Sequence, residues 1–234
     1  MSQTYVLVTG AWHGGWAWRP VAQRLRAAGH RVLTPTLPAL ADGDDPTRYQ
    51  LTDVADFLVD LVGSTADEVT LVGHSWGGYP MTAAANRLGS RVTKVVYWSA
   101  FVPDAGAALI DEVPPAYAEL FRGAAAASGD DSIVLPFEVW QGAFMQDAPE
   151  VVQRLVFDLL VPQPLQYFTA AVEPLDGAIA RAYVLSVDDV ALPPGEYGWA
   201  RFADRLGVDA IDAPGSHEAC FTAPDGLAEA LLKA

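Results

Sequence analysis

The stretch Val69–Gly78, VTLVGHSWGG, joins a β-branched apolar run to a glycine-rich turn with a serine at its centre. A segment with helical spacing, Tyr79 to Leu88, follows directly. A G-x-S-x-G turn between a strand and a helix holds its serine in a strained backbone conformation that lifts the hydroxyl clear of the chain. The pattern predicts Ser75 as a nucleophile. It also predicts that the N–H of Trp76 faces a carbonyl oxygen that gains negative charge.

Apolar runs alternate with helical segments along most of the chain, a pattern typical of a parallel sheet covered by helices. The predicted strands are Tyr5–Val8, Arg31–Leu33, Val69–Val72, Val95–Trp98, Tyr183–Leu185 and Val208–Ile211. Between them, apolar stripes at helical spacing include Trp18, Val21, Ala22 and Leu25, and a second set from Val54 to Val62 with Thr52 as the predicted N-cap. The sequence therefore predicts an α/β fold with a mostly parallel central sheet flanked by helices.

The alternation stops between about Pro103 and Ala180, where prolines interrupt the pattern and aromatic side chains are frequent. We interpret residues 104–180 as an inserted helical cap, and residues 1–103 and 181–234 as the core. Most of the cap aromatics are expected to pack the cap onto the core, and the others to line a pocket. Trp140 and Phe144 are the predicted substrate-binding residues of this segment.

The composition limits the partners of the chain. Its 234 residues are 51% hydrophobic and 18% charged, which suits one sizeable core. A formal net charge of -15 argues against nucleic acid and anionic membranes. No run approaches the ~18 apolar residues of a membrane helix, and Met1–Thr4 does not lead into a signal segment, so we expect a cytoplasmic protein. The single cysteine, Cys220, and the spacing of the acidic residues predict no disulfide and no metal site.

A serine hydroxyl needs a neighbouring base, and His217 is the strongest candidate. It follows the last predicted strand in a flexible loop, and sites of open α/β sheets form at that edge. The third member is expected to be a carboxylate after the strand at Tyr183, where Asp188 and Asp189 are adjacent candidates. We favour Asp189, which would accept the N–H of His217 Nδ1 and stabilise the imidazolium.

The glycine-rich loop after the first strand is expected to supply a second donor for the oxyanion, most simply the N–H of Ala11. In the same loop Trp12 and His13 are predicted to contact substrate. For His13 two interpretations remain open, since it either borders the pocket or stiffens the loop.

With these residues the sequence resembles the methylesterase, pyrethroid-hydrolase and hydroxynitrile-lyase branch of the α/β-hydrolase superfamily. The matching stretches are Val6–Trp18, the serine turn, Ser99–Pro103, Leu160–Pro164 and Asp189–Pro193. The resemblance implies Ser75 as nucleophile, Asp189 as acid, His217 as base, the N–H groups of Ala11 and Trp76 as the oxyanion hole, and no cofactor. Thr9 departs from the histidine that relatives commonly carry there, which implies a changed pocket polarity.

Cyanohydrin-cleaving members of the branch carry threonine at the position of Gly10 and lysine after the catalytic histidine, where this chain has Glu218. The sequence therefore favours hydrolysis of a small hydrophobic or aromatic carboxylic ester through an acyl-enzyme. One alternative is a lyase or cyclisation reaction of secondary metabolism in the same cavity, and another is a small-molecule sensor on a hydrolase fold. The oligomeric state stays open.

Overall fold

The computed structural model describes residues 2–234, which include a six-stranded sheet whose neighbouring strands are all parallel. Its strands are β1 (Thr4–Val8), β2 (Arg31–Leu33), β3 (Val69–His74), β4 (Val92–Trp98), β7 (Arg181–Ser186) and β8 (Ala210–Ala213). The order across the sheet is β2-β1-β3-β4-β7-β8, and β5 (Ser132–Ile133) and β6 (Gln163–Pro164) form a separate antiparallel pair. The predicted fold class is confirmed; Met1, within the predicted core, lies outside the described residues.

The last strand begins two residues later than predicted, at Ala210 instead of Val208. The preceding helix ends at Leu206 and is followed by Gly207, whose φ of 68° lies in the left-handed region that glycine enters at little steric cost. The N–H of Val208 then donates to the carbonyl of Ala203 at 3.2 Å. Val208 therefore belongs to the helix end and not to the sheet.

Ten α-helical segments occur in residues 2–234: α1 (Arg19–Ala27), α2 (Leu51–Gly63), α3 (Gly78–Leu88), α4 (Pro115–Ser128), α5 (Phe137–Val139), α6 (Glu150–Phe157), α7 (Gln166–Thr169), α8 (Ala200–Leu206), α9 (Ala219–Thr222) and α10 (Pro224–Lys233). Helix α2 begins before the predicted N-cap Thr52, because the Asp53 carboxylate accepts the N–H of Gln50 at 2.7 Å and satisfies the first turn from there. Within the described chain, no helix has the length and apolar character of a membrane span.

Alternate side chains of the strands face two separate apolar layers. Tyr5 and Leu7 of β1 pack with α1 and α10, whereas Val6 and Val8 pack with α2 and α3. Between β4 and β7 the chain leaves the sheet, and residues 104–180 contain α4 to α7 and the β5–β6 pair. The apolar side chains of this segment join the layer of α2 and α3 above the carboxyl ends of the strands.

Candidate active site

Ser75 stands where β3 ends and the turn into α3 begins, with a backbone φ of 52°. A non-glycine residue in this region is strained, and such strain is held in place by its surroundings. Here the carbonyl of Ser75 accepts the N–H of Phe101 at 3.1 Å, which ties the turn to the chain after β4. The serine therefore has a fixed position at the edge of the sheet.

Gly77 and Gly78 allow neighbouring backbone to approach this turn. A Cβ at Gly77 would fall against the carbonyl oxygen of Thr9, and one at Gly78 against the carbonyl oxygen of Phe101. Any side chain at these two positions would push the turn away from β1 and from the loop after β4. The glycines of the motif are thus needed for packing as well as for the turn.

The side chains of His217 and Asp189 meet although 27 residues separate them in sequence. His217 Nδ1 lies 2.7 Å from Asp189 Oδ2, and both side chains are almost wholly buried. Asp189 Oδ1 accepts the N–H of Ala191 at 2.9 Å, which orients the carboxylate. Asp188, the adjacent candidate, is exposed to solvent.

The imidazole of His217 lies among aromatic rings. It stacks on Trp199, with 5.3 Å between ring centroids, and meets Phe144 edge-on at 5.2 Å. Burial by itself lowers the pKa of His217, but the charge and hydrogen bond of Asp189, together with the charge of Glu218, outweigh burial and raise its pKa. The environment therefore favours an imidazolium at this position.

His74, next to the serine in sequence, packs between Trp98 and His217, with 4.6 Å between its ring centroid and that of His217. Its ring stacks on Trp98 at 4.0 Å between centroids and is fully buried. Burial, followed by the neighbouring His217 and His13, lowers its pKa well below the usual value of a histidine. His74 is consequently a neutral packing group beside His217.

Trp12 and Trp76 connect the strand ends to segment 104–180. Trp12 has a φ of 65°, its N–H donates to Gln163 Oε1 at 3.1 Å, and its indole N–H donates to the carbonyl of Ile133 at 2.9 Å. The indole of Trp76 donates to the carbonyl of Tyr167 at 3.1 Å and stacks on the ring of that residue. These bonds hold the loop after β1, and with it Ala11, beside the serine turn.

A cavity with an empty volume of about 560 Å³, open mouth included, brings together the serine, the histidine and the two residues whose N–H groups are the predicted oxyanion donors. Its wall contains Ala11, Ser75, Trp76 and His217, and is otherwise almost entirely apolar. The apolar wall is formed by Trp12, Phe101, Leu109, Val113, Tyr117, Leu120, Phe121, Leu135, Val139, Ala143, Phe144, Phe168, Ala191, Leu192 and Trp199.

Of the four residues predicted to contact substrate, the structure brings Trp12 and Phe144 to the cavity wall. His13 and Trp140 lie behind the wall, where their rings face each other at 5.7 Å. Trp140 begins a π-helical turn, and its indole N–H donates to the carbonyl of Gln153 at 3.0 Å. Hydrogen bonding inside segment 104–180 therefore turns Trp140 away from the cavity and leaves Phe144 facing it.

The loop that carries His217 is held by the backbone of Phe144 and by Asp147, a residue that the sequence did not mark. Asp147 accepts the N–H of Ser216 at 3.1 Å and the hydroxyl of Thr222 at 2.7 Å. The carbonyl of Phe144 accepts the N–H of Glu218 at 3.2 Å. No sequence motif marks Asp147, because its partners lie about seventy residues away in the chain.

Gly10 leaves no room for a side chain beside the serine. A Cβ at this position would lie 2.8 Å from His74 Nδ1 and 3.2 Å from the Cβ of Ser75. The threonine that cyanohydrin-cleaving relatives carry here would require the turn or His74 to move. The structure thus gives a steric reason for the glycine.

A parallel sheet with a serine turn after β3, and a histidine–carboxylate contact formed by the loops after β7 and β8, defines an α/β hydrolase. Comparison with known proteins agrees, since the alpha/beta hydrolase family model matches residues 5–230. The chain belongs to the alpha/beta hydrolase family.

The carbendazim hydrolyzing esterase of Nocardioides sp. (strain SG-4G) is 33% identical over 97% of each chain. A putative methylesterase 19 of Arabidopsis thaliana is 30% identical over 98% of this chain and 96% of its own. A solved extracellular alpha/beta-hydrolase from a Paenibacillus species, described as sharing structural and functional homology to tobacco salicylic acid binding protein 2, matches with a TM-score of 0.94 and 26% identity. That match covers 99% of this chain and 98% of the other. The predicted branch of the superfamily is confirmed.

Proposed function

We propose that the protein hydrolyses a small, uncharged carboxylic ester with a hydrophobic or aromatic acyl group, through an acyl-enzyme on Ser75. The observation that carries this proposal is the 2.7 Å contact between His217 Nδ1 and Asp189 Oδ2, with His217 and Ser75 on the wall of one cavity. The contact leaves Nε2 of His217 free to take a proton, which is the requirement for activating a serine.

In the first half-reaction His217 Nε2 takes the Ser75 proton while Oγ bonds to the carbonyl carbon of the ester. The carbonyl oxygen becomes an oxyanion beside the N–H groups of Ala11 and Trp76, each of which is expected to contribute about 3 to 4 kcal/mol. Collapse of this intermediate breaks the ester bond, and the imidazolium gives its proton to the departing alcohol. In the second half-reaction His217 activates water in the same way, and the acid leaves Ser75 free.

The apolar wall supports an uncharged substrate. A charged acyl group would lose its hydration in this cavity and find almost no polar partner there. The esterase relatives support ester hydrolysis as the reaction. Gly10 and Glu218 favour hydrolysis over cyanohydrin cleavage, since the first leaves no space for threonine and the second is acidic where a departing cyanide needs a cation.

Segment 104–180 is, in this proposal, the cap that selects the substrate. Tyr117, Phe121, Phe144 and Phe168 from this segment supply much of the aromatic wall. Aromatic rings of this kind contribute both buried area and shape selection. The sheet edge then supplies the reacting groups and the cap supplies the fit.

The proposal is tested with methyl, aryl and longer-chain esters, comparing the wild-type protein with Ser75→Ala. We expect Ser75→Ala to lower kcat by about 10⁴-fold or more, and mass spectrometry to detect an acyl group on Ser75 of the wild type. Ser64→Ala, at an exposed position, is the matched control and should keep the wild-type rate.

An unchanged rate in Ser75→Ala would overturn the proposal. Turnover of a bound substrate without an acyl-serine would support the lyase or cyclisation alternative. Tight ligand binding with negligible turnover would support the sensor.

A further inference from the structure

Two buried ionisable side chains, His13 and Glu218, face each other behind the proposed triad. His13 Nε2 lies 3.5 Å from Glu218 Oε2, and the two side chains are only 3% and 1% exposed. The proposed reaction uses neither of them. Burying a carboxylate without a partner costs several kcal/mol of folding free energy. The burial of Glu218 against His13 therefore indicates that this contact has a function.

One hydrogen bond orients the ring of His13. His13 Nδ1 lies 2.7 Å from the carbonyl oxygen of Ala11, which can only accept, so Nδ1 carries a hydrogen. Nε2 is then the ring nitrogen that faces Glu218, and it has no hydrogen-bond partner among the described residues.

Glu218 has few other polar neighbours. The thiol of Cys220 donates to Oε2 at 3.6 Å, and Oε1 has no hydrogen-bond partner among the described residues. One ring nitrogen of His74, one ring nitrogen of His217 and one carboxylate oxygen of Glu218 lie within 4.8 Å of one another. The ionisable groups around His217 are thus Asp189, His74 and Glu218, with His13 and Cys220 behind Glu218.

The pair also connects two parts of the proposed active site. The side chain of His13 is hydrogen-bonded to the carbonyl of Ala11, and the N–H of Ala11 is the proposed oxyanion donor. Glu218 directly follows the proposed base, His217, in sequence. The charge of Glu218 acts on His217 in the same direction as that of Asp189, since both raise its pKa. His74 contributes no competing cation, because burial keeps it neutral.

We propose that Glu218, paired with His13, is a positioning residue that holds the base loop against the oxyanion loop and whose negative charge favours the imidazolium form of His217. This inference rests on the proposed function, because the imidazolium matters only if His217 is the base. Glu218 does not touch the substrate and acts through His217.

The charge is tested with Glu218→Gln, which keeps the volume and removes the negative charge. We expect the pKa of His217, followed by NMR of labelled histidine side chains, to fall. The acid limb of kcat/KM should move to lower pH by the same amount, because less acid is then needed to keep the base neutral. We expect kcat to fall about threefold to tenfold with little change in KM.

Two variants separate charge from shape. Glu218→Asp keeps the charge and should hold the His217 titration near that of the wild type even if kcat falls. His13→Gln removes the partner of Glu218 and should move the titration upward, opposite to Glu218→Gln. Asp212→Asn, an exposed carboxylate on β8, is the matched control and should leave the titration unchanged.

An unchanged His217 titration in Glu218→Gln overturns the proposal, as does a downward shift in His13→Gln. If Glu218→Gln does not fold, His13→Gln and Glu218→Asp give the same decision. The titration is repeated in a Ser75→Ala background, where no turnover is needed. If the protein hydrolysed no ester, the proposed function would be wrong, but the effect of Glu218 on the His217 titration would still be measured.

Discussion

The carboxyl edge of the sheet and segment 104–180 build one cavity by different means. At the edge, Ser75 follows β3, Asp189 follows β7 and His217 follows β8, so the hydrogen-bond register of parallel strands sets their spacing. In the segment, the rings that line the cavity come from the long helix α4, the four-residue helix α7 and a π-helical turn. The proposed chemistry thus depends first on the sheet and the proposed selectivity first on local packing, although Asp147 and Phe144 of the segment also hold the loop of His217.

The largest effect is expected at the sheet edge, from Asp189→Asn. The amide cannot stabilise the imidazolium and favours the wrong tautomer of His217, so kcat should fall by about 10⁴-fold. Steady-state kinetics on an aryl ester measure it, and Asp188→Asn, one residue away and exposed, is the matched control. Equal rates in the two variants would contradict the assignment of Asp189 as the acid.

An intermediate effect, on stability, is expected where the two regions are joined. The buried Glu112 contacts Arg201 at 3.0 Å and Arg205 at 2.7 Å on α8. Glu112→Ala leaves both guanidinium groups without this partner and should lower the free energy of unfolding by about 3 kcal/mol. This is the lower end of the range for a broken buried ion pair, because the two arginines are about a quarter exposed.

Urea unfolding measures this loss. Glu119→Gln, an exposed carboxylate on α4, should change the unfolding free energy by less than about 0.5 kcal/mol. If Glu112→Ala were as stable as that control, the ion pairs would not join segment 104–180 to the core.

The smallest effect is expected inside the segment, from Phe121→Ala. Phe121 lines the cavity and packs against Phe168 at 5.2 Å between centroids. Its loss should lower kcat/KM for a benzoate ester by about tenfold relative to an acetate ester, because only the larger acyl group fills the space near the ring. Phe137→Ala is the matched control, since Phe137 packs on Phe157 away from the cavity wall. A loss of the same size for both esters would mean that Phe121 supports the fold and not the selection.

The sequence was most informative for the elements in which apolar residues recur at a regular spacing. The strands, the helices and the serine turn follow from periodicity and from glycine placement, and His217 follows from its position after the last strand. The choice between Asp188 and Asp189 depends on the direction in which one loop turns, which periodicity does not encode. Trp140 was expected on the cavity wall, and His13 was expected either there or as a residue that stiffens its loop. The hydrogen bonds to Gln153 and Ala11 hold both rings behind the wall. Those bonds join residues whose relation appears only in three dimensions.

The anchoring of Trp12 also restricts how a molecule can reach the catalytic pocket. Its backbone and indole make three hydrogen bonds to segment 104–180, with Gln163, Ile133 and Val161. Swinging the segment outward as a rigid flap would break all three, at about 1 kcal/mol each, and would pull the loop of Ala11 out of shape. Entry through rotation of single side chains of the cavity wall would avoid that loss. Segment 104–180 would then stay in place between turnovers, and substrate and product would enter and leave as individual side chains rotate.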